Sequence, residues 1–250
     1  MKSIVFALVC LIVCGITLQA DTLTIAVAAN VQYAIADIKQ DFESKTGIPL
    51  VVVLGASGKL ATQIESGAPF DAFLSADMKY PRQLYTDSFA IDSPRIYSRG
   101  TLVLWTLRDA DVNQGPRALL AEQFSKIAIA NPALAPYGEQ SVNCMKFFGL
   151  YDSLSPKLVF GESISQVNTF LMSGAADAAF TAKSIVTAPE NTGKGHWVEL
   201  DSKSYTPIDQ GAVILKYGIQ HHGKSVQEFY RYLFSKRAKK IMKKYGYLTD

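Results

Sequence analysis

Leu23-Thr24-Ile25-Ala26-Val27-Ala28-Ala29-Asn30 and Leu50-Val51-Val52-Val53-Leu54-Gly55-Ala56-Ser57-Gly58 are apolar runs that each end in a short uncharged turn. Each run has the length and composition of a strand, and each turn leads into a helical pattern. After the first, Val31, Ile35, Ile38 and Phe42 mark one face of a helix that stops near Gly47. After the second, Lys59 to Ser66 carries Leu60 and Ile64 on a helix closed by Gly67, and a strand follows from Phe70 to Ser75. The unbroken run Leu50 to Leu54 reads as a parallel strand covered on both faces. Together these segments make a βαβαβ unit. Ligands of open α/β sheets bind beyond the carboxyl ends of such strands, where both turns fall.

The turns have a chemistry of their own. The first backbone N–H groups of a helix lack intrahelical acceptors and project outward with the positive end of the macrodipole, which suits an anion. Asn30 and Ser57 are expected to add side-chain donors, and Gly58 to let a ligand approach the main chain. Two such turns in one half of a chain suggest a captured oxyanion.

The alternation of strands and helices continues. Thr101 to Thr106 and Lys126 to Ala130 read as strands, Asn131 to Gly138 as a Pro-rich loop, and Val142 to Phe148 as a helix. Leu158-Val159-Phe160 is a short strand, Gly161 to Ser165 opens a helix, and Gly174 to Phe180 leads back into a strand. Gly211-Ala212-Val213-Ile214-Leu215 is a late strand, followed by terminal helices from Ser225 onward. No low-complexity linker separates the units, which favours two lobes joined by crossing strands over beads on a string.

Composition narrows the function. Met1 to Ala20 opens with Lys2, runs apolar from Ile4 to Leu18 and ends at Ala20, the pattern of a secretory signal with the mature chain starting at Asp21. Val9 and Val13 precede Cys10 and Cys14 where a lipoprotein signal wants a small residue. Removal of the signal leaves Cys144 alone in a helical run, a buried apolar thiol with no disulfide partner. No Cys-x-x-Cys or His-Glu-x-x-His spacing occurs, and His221 and His222 precede a helix instead of sharing a face, so no metal site is assigned. The formal charge of +3 demands no nucleic acid. Basic residues crowd between Lys236 and Lys244, while Ala238, Ile241 and Met242 recur at helical spacing, so the lysines form a solvated outer face. Gly55-Ala56-Ser57-Gly58 lacks the second Gly of a nucleophile elbow, and Asp71, in a strand, and Asp77 have no accompanying His. No catalytic residue is assigned.

The chain resembles the periplasmic molybdate-binding proteins, the soluble receptors of ABC importers for molybdate or tungstate. The resemblance covers essentially the whole mature chain. It is carried by Ala56-Ser57-Gly58-Lys59-Leu60-Ala61-Thr62-Gln63-Ile64, by Gly67-Ala68-Pro69-Phe70-Asp71-Ala72-Phe73-Leu74-Ser75-Ala76-Asp77, and by Asn131-Pro132 with Ala135-Pro136-Tyr137-Gly138. Gly174-Ala175-Ala176-Asp177 and Tyr245-Gly246-Tyr247 agree with it. It implies a two-lobe α/β fold of the type II periplasmic-binding-protein class, with the ligand in the interlobe cleft and two crossing strands as hinge. Lobe I would hold residues 21–100 and 207–250, and lobe II residues 101–206. The crossings would lie near Arg99 to Val103 and Thr206 to Ala212.

Matched motif by motif, the resemblance implies that Asn30 and Ser57 hold the oxyanion from lobe I, with an N–H from Ala29. Tyr137 and Ile164 would hold it from lobe II through backbone N–H groups. In one branch of the family the first turn ends in Ser and a Tyr follows the Ala-Asp strand. Here Asn30 and Thr181 occupy those positions, so the chain follows the other branch and Thr181 departs from the ligating pattern. The implied protein is a monomeric, non-catalytic periplasmic receptor without a cofactor, whose molybdenum or tungsten arrives inside the oxyanion and leaves through an ABC permease; the alternative readings are a receptor for another tetrahedral oxyanion such as sulfate, or a ligand-sensing module without transport. Lys59, at a helix start, is expected to point to solvent. A tetrahedral dianion offers only acceptors, so neutral donors suffice, and carboxylates would repel it.

Overall fold

The computed structural model describes residues 22–249, and the signal-peptide reading of residues 1–20 falls outside them. The first sheet is built from β1 (Leu23–Ala28), β2 (Leu50–Gly55), β3 (Ala72–Leu74), β4 (Arg95–Gly100) and β10 (Ile208–Ile214), and the second from β5 (Leu102–Thr106), β6 (Ile127–Ala130), β7 (Leu158–Gly161), β8 (Ala178–Ala182) and β9 (His196–Glu199). The helices are α1 (Gln32–Thr46), α2 (Ser57–Glu65), α3 (Lys79–Thr86), α4 (Pro136–Phe147), α5 (Tyr151–Leu154), α6 (Ile164–Met172), α7 (Lys183–Val186), α8 (Lys216–Leu233) and α9 (Lys236–Lys244).

Both sheets are mixed and five-stranded, ordered β2-β1-β3-β10-β4 and β7-β6-β8-β5-β9. In the first, β1 runs parallel to β2 and β3, and β10 runs antiparallel to its neighbours. In the second, β6 is parallel to β7 and β8, and β5 is antiparallel to β8 and β9. The chain leaves the first sheet at Gly100, crosses at Thr101, and returns at Ile208. This is a two-lobe α/β fold. The register sets Ala28 beside Gly55 at one pair of carboxyl ends and Ala130 beside Gly161 at the other. The turns that follow these pairs face each other across the cleft.

Each lobe has its own core. Phe42 and Phe229 meet edge to face at 5.4 Å in the first, where α1 and α8 pack on the sheet. Trp105, Phe124 and Phe180 are fully buried in the second. Burial of each such ring contributes about 1.5–3 kcal/mol. On α9, Ala238 and Met242 turn inward, while Arg237 and Lys244 pair with Asp41 and Asp37 of α1 at 2.5 and 2.9 Å.

The structure corrects several local expectations. The strand at Leu50–Gly55 is not covered on both faces: it lies at the sheet edge, and Val51 and Leu54 are exposed. The third strand is shorter than Phe70 to Ser75, and Asp71 stands just before it. There its buried carboxylate accepts the Thr24 N–H at 2.6 Å and meets His222 Nδ1 at 2.7 Å. The supposed loop Asn131 to Gly138 already contains the start of α4, because Pro136 at its first position needs no N–H. The first terminal helix starts at Lys216 and not near Ser225, so His221 and His222 lie within it, and a non-helical His222 (φ −132°, ψ 36°) kinks it.

Candidate functional site

A cavity lies between the carboxyl ends of the two sheets. From lobe I it is lined by Ala29 and Asn30 after β1 and by Ser57 after β2; from lobe II it is lined by Tyr137 after β6 and Ile164 after β7. The space between these walls is about 210 Å3, counting the part that opens to solvent. Among the described residues that line it, none is charged.

Apart from Ala76, in the turn after β3, each lining segment is a helix start. Ser57 opens α2, Tyr137 is the second residue of α4, Ile164 opens α6, and Ala29 and Asn30 begin the 3-10 turn Ala29–Val31 that feeds α1. N–H groups at these positions have no intrahelical acceptor. The capping carbonyls confirm the geometry: Leu60 N–H donates to Ala56 O at 3.0 Å, Glu139 N–H to Ala135 O at 3.2 Å, and Val167 N–H to Ser163 O at 3.0 Å. Helix dipoles from both lobes therefore converge on one small volume, which favours an anion.

The side chains divide into donors that remain available and donors that are committed. Ser57 Oγ accepts the Ala76 N–H at 3.0 Å, which leaves its own proton to donate. Asn30 differs from expectation, because its Nδ2 donates to Gln210 Oε1 at 3.1 Å and to Tyr247 OH at 2.9 Å. Both amide hydrogens are spent inside the protein, so the backbone N–H is the donor Asn30 has left to offer the cavity. Gly58 also has a different role: its N–H donates to Leu134 O of the other lobe at 2.9 Å, and a Cβ there would strike the Tyr80 hydroxyl. The space a side chain would fill there is taken by the Tyr80 hydroxyl and, across the cleft, by the Leu134 carbonyl.

Two further residues lie outside the lining. Thr181 is buried in β8 and donates from Oγ1 to Asn168 Oδ1 at 2.8 Å. Lys59 pairs with Glu162 across the cleft at 2.8 Å, with both side chains about half exposed. Sequence reasoning missed that pair because nothing local joins two helix starts in different lobes. Cross-lobe bonds from Ser165 Oγ to Gln32 Oε1 at 2.7 Å and from Tyr80 OH to Ala133 O at 3.2 Å complete a closed cleft.

No cluster of metal-ligating side chains occurs among the described residues. Cys144 is buried, and burial pushes its thiol up to about 11 although Ser204 Oγ donates to it at 3.2 Å, which leaves it an unreactive core group. The Tyr137 hydroxyl is fully buried, and burial holds its pKa well above the ordinary phenol value, so it stays protonated.

Two α/β lobes closed over an uncharged, helix-capped cavity define a solute-binding protein. Residues 23–248 match the family model described as bacterial extracellular solute-binding protein, and the chain belongs to that family. It is 38% identical over 226 residues to the molybdate-binding protein ModA of Rhodobacter capsulatus, covering 90% of this chain and 87% of the relative. Its fold matches the periplasmic molybdate-binding protein of Azotobacter vinelandii with a TM-score of 0.86 at 31% identity, covering 91% of this chain and 99% of that one. The sulfate-binding protein SubI of Mycobacterium tuberculosis shares the fold alone, with a TM-score of 0.74 at 12% identity, covering 90% of this chain and 86% of that one.

Proposed function

We propose that this protein captures molybdate in the interlobe cavity, takes tungstate by the same contacts, and delivers the anion to an ABC permease in the membrane. The observation that carries the reading is the convergence of first-turn N–H groups from both lobes on an uncharged cavity, in a chain whose near relatives are named for molybdate. The N–H groups of Ala29, Asn30, Ser57, Tyr137 and Ile164 and the Ser57 hydroxyl are the donors. Hydrogen bonds to a charged group contribute about 1.5–3 kcal/mol each, so this set supports nanomolar binding, near 12 kcal/mol, after ordering costs. No carboxylate lines the cavity to accept the proton of anions such as hydrogen phosphate, which disfavours them.

Lobe I comprises residues 21–100 and 207–250 and lobe II residues 101–206, hinged near Arg99 to Val103 and Thr206 to Ala212. The hinge closes because only the shut form brings donors from both lobes to one anion. The protein works as a periplasmic monomer with no catalytic step and no cofactor. Isothermal titration of the anion-stripped mature protein with molybdate, tungstate and sulfate tests the reading. Tight one-to-one binding of the first two with little heat from sulfate supports it; equal binding of sulfate removes the selectivity, and silence from all three overturns it.

A further inference from the structure

We propose that Tyr247 and Ser184 form a clamp on the Asn30 turn that is complete only when the lobes are shut, making Tyr247 a positioning residue for the anion. The inference rests on the molybdate reading above. Tyr247 lies in the segment after α9 and is buried. Its hydroxyl is 2.8 Å from Asn30 O, accepts Asn30 Nδ2 at 2.9 Å and lies 3.0 Å from Ser184 Oγ. Ser184, on α7 after β8, donates to the same Asn30 carbonyl at 2.8 Å.

The bonds around Asn30 use both of its side-chain hydrogens and its carbonyl. Ser184 gives its proton to Asn30 O, Tyr247 gives its proton to Asn30 O or Ser184 Oγ, and the Asn30 amide gives one hydrogen to Tyr247 and the other to Gln210. Asn30 is thereby fixed at its carbonyl and at its side chain, and with them the orientation of the peptide that carries its N–H. None of these bonds touches the anion.

The clamp spans both lobes and the hinge. Ser184 follows the last parallel-paired strand of the second sheet, whereas Asn30 follows β1 of the first. Leu248, next to Tyr247, exchanges backbone bonds with Arg99 at 2.8 and 3.0 Å where β4 approaches the crossing. Gly246, with φ 76°, turns the chain so that Tyr247 reaches inward while Leu248 pairs with β4. Opening the cleft separates Ser184 from Asn30 and leaves Tyr247 to hold the turn alone, so the clamp resists release more than it assists capture.

The test is release of labelled molybdate from the mature protein, with Tyr247→Phe, Ser184→Ala and the double variant. Each single variant is expected to release molybdate about threefold to tenfold faster, the size of one lost neutral hydrogen bond, with association unchanged. The double variant is expected to fall short of the product of the two single effects, because both act on one carbonyl. Thermal unfolding of the anion-stripped protein should not move with Ser184→Ala, and that variant decides the matter if Tyr247→Phe does not fold. Release at the wild-type rate from both variants, or a lowered unfolding temperature in Tyr247→Phe with unchanged release, overturns the clamp while wild-type binding stands. Wild-type protein that takes no molybdate overturns the functional reading and the clamp with it.

Discussion

Ser57 Oγ accepts the Ala76 N–H at 3.0 Å, so the hydroxyl proton of Ser57 is the one polar hydrogen of that side chain left for a ligand. Ser57→Ala removes a donor to a charged guest and also orphans a buried N–H. Molybdate affinity should fall by about 1–3 kcal/mol, with a smaller loss in the stability of the anion-free protein. Calorimetry on the variant checks it; unchanged affinity would remove Ser57 from the donor set.

The Tyr137 hydroxyl lies where a Cβ on Gly100 would stand. Tyr137 belongs to lobe II and Gly100 ends the strand that leads to the crossing, so the contact exists because the lobes are shut. Gly100→Ala should therefore disfavour closure and weaken molybdate binding at least about tenfold, near 1.4 kcal/mol. Adding Tyr137→Phe, which removes the colliding oxygen, should restore part of the loss. Small-angle scattering with and without molybdate would report the opening; full affinity in Gly100→Ala would show that the contact yields at no cost.

What was legible in the sequence follows the range of the interactions involved. The β1 turn and the start of α2 were readable because helix starts are written within a few residues of themselves: Ala29, Asn30 and Ser57 line the cavity. The entry to α4 could have been found from Pro136, whose fit at a first helical position competes with its fit in a loop. The exposure of Val51 and Leu54 was hidden, since a β-branched run looks alike at the edge and the centre of a sheet and only strand order decides. β9, short and half-exposed at the other edge, gave no apolar run at all. The role of the Asn30 side chain was out of reach. Its partners are Gln210 and Tyr247, 180 and 217 residues away, and a lone Asn in such a turn reads as a side-chain donor until they are seen.

Asp177 anchors the second sheet. Its buried carboxylate accepts from Ser125 N–H at 2.7 Å, Ser125 Oγ at 2.9 Å and Lys126 N–H at 2.9 Å, and it pairs with Arg108. Burial alone would raise its pKa, but Arg108 and the Lys126 and Ser125 donors outweigh that and lower it from 3.8 to about 2. A depressed carboxylate contributes stability that is fully present above its unfolded pKa and is lost as pH falls through the folded one. The contribution, on the order of 2 kcal/mol, should hold at neutral pH and disappear between about pH 4 and pH 2. Urea unfolding of wild type and Asp177→Asn should therefore differ most at neutral pH and converge in acid; a gap that persists in strong acid would place the effect in packing.

Lys59 and Glu162 meet across the cleft mouth at 2.8 Å, yet both are about half exposed, and that exposure sets what the pair can do. An ion pair in contact with water is screened and typically contributes no more than about 1 kcal/mol. Since the pair joins the two lobes, whatever it contributes goes to the shut form and so to affinity. Lys59→Ala should weaken molybdate binding by less than about 1 kcal/mol at low salt, and the difference from wild type should vanish at high salt. Glu162→Ala should behave alike, because each removes the same bond. If Lys59 instead reached the anion, the two variants would part: Lys59→Ala would lose affinity that added salt did not abolish, while Glu162→Ala would free the lysine to bind the anion more strongly. Calorimetry of both variants at low and high salt separates the two arrangements.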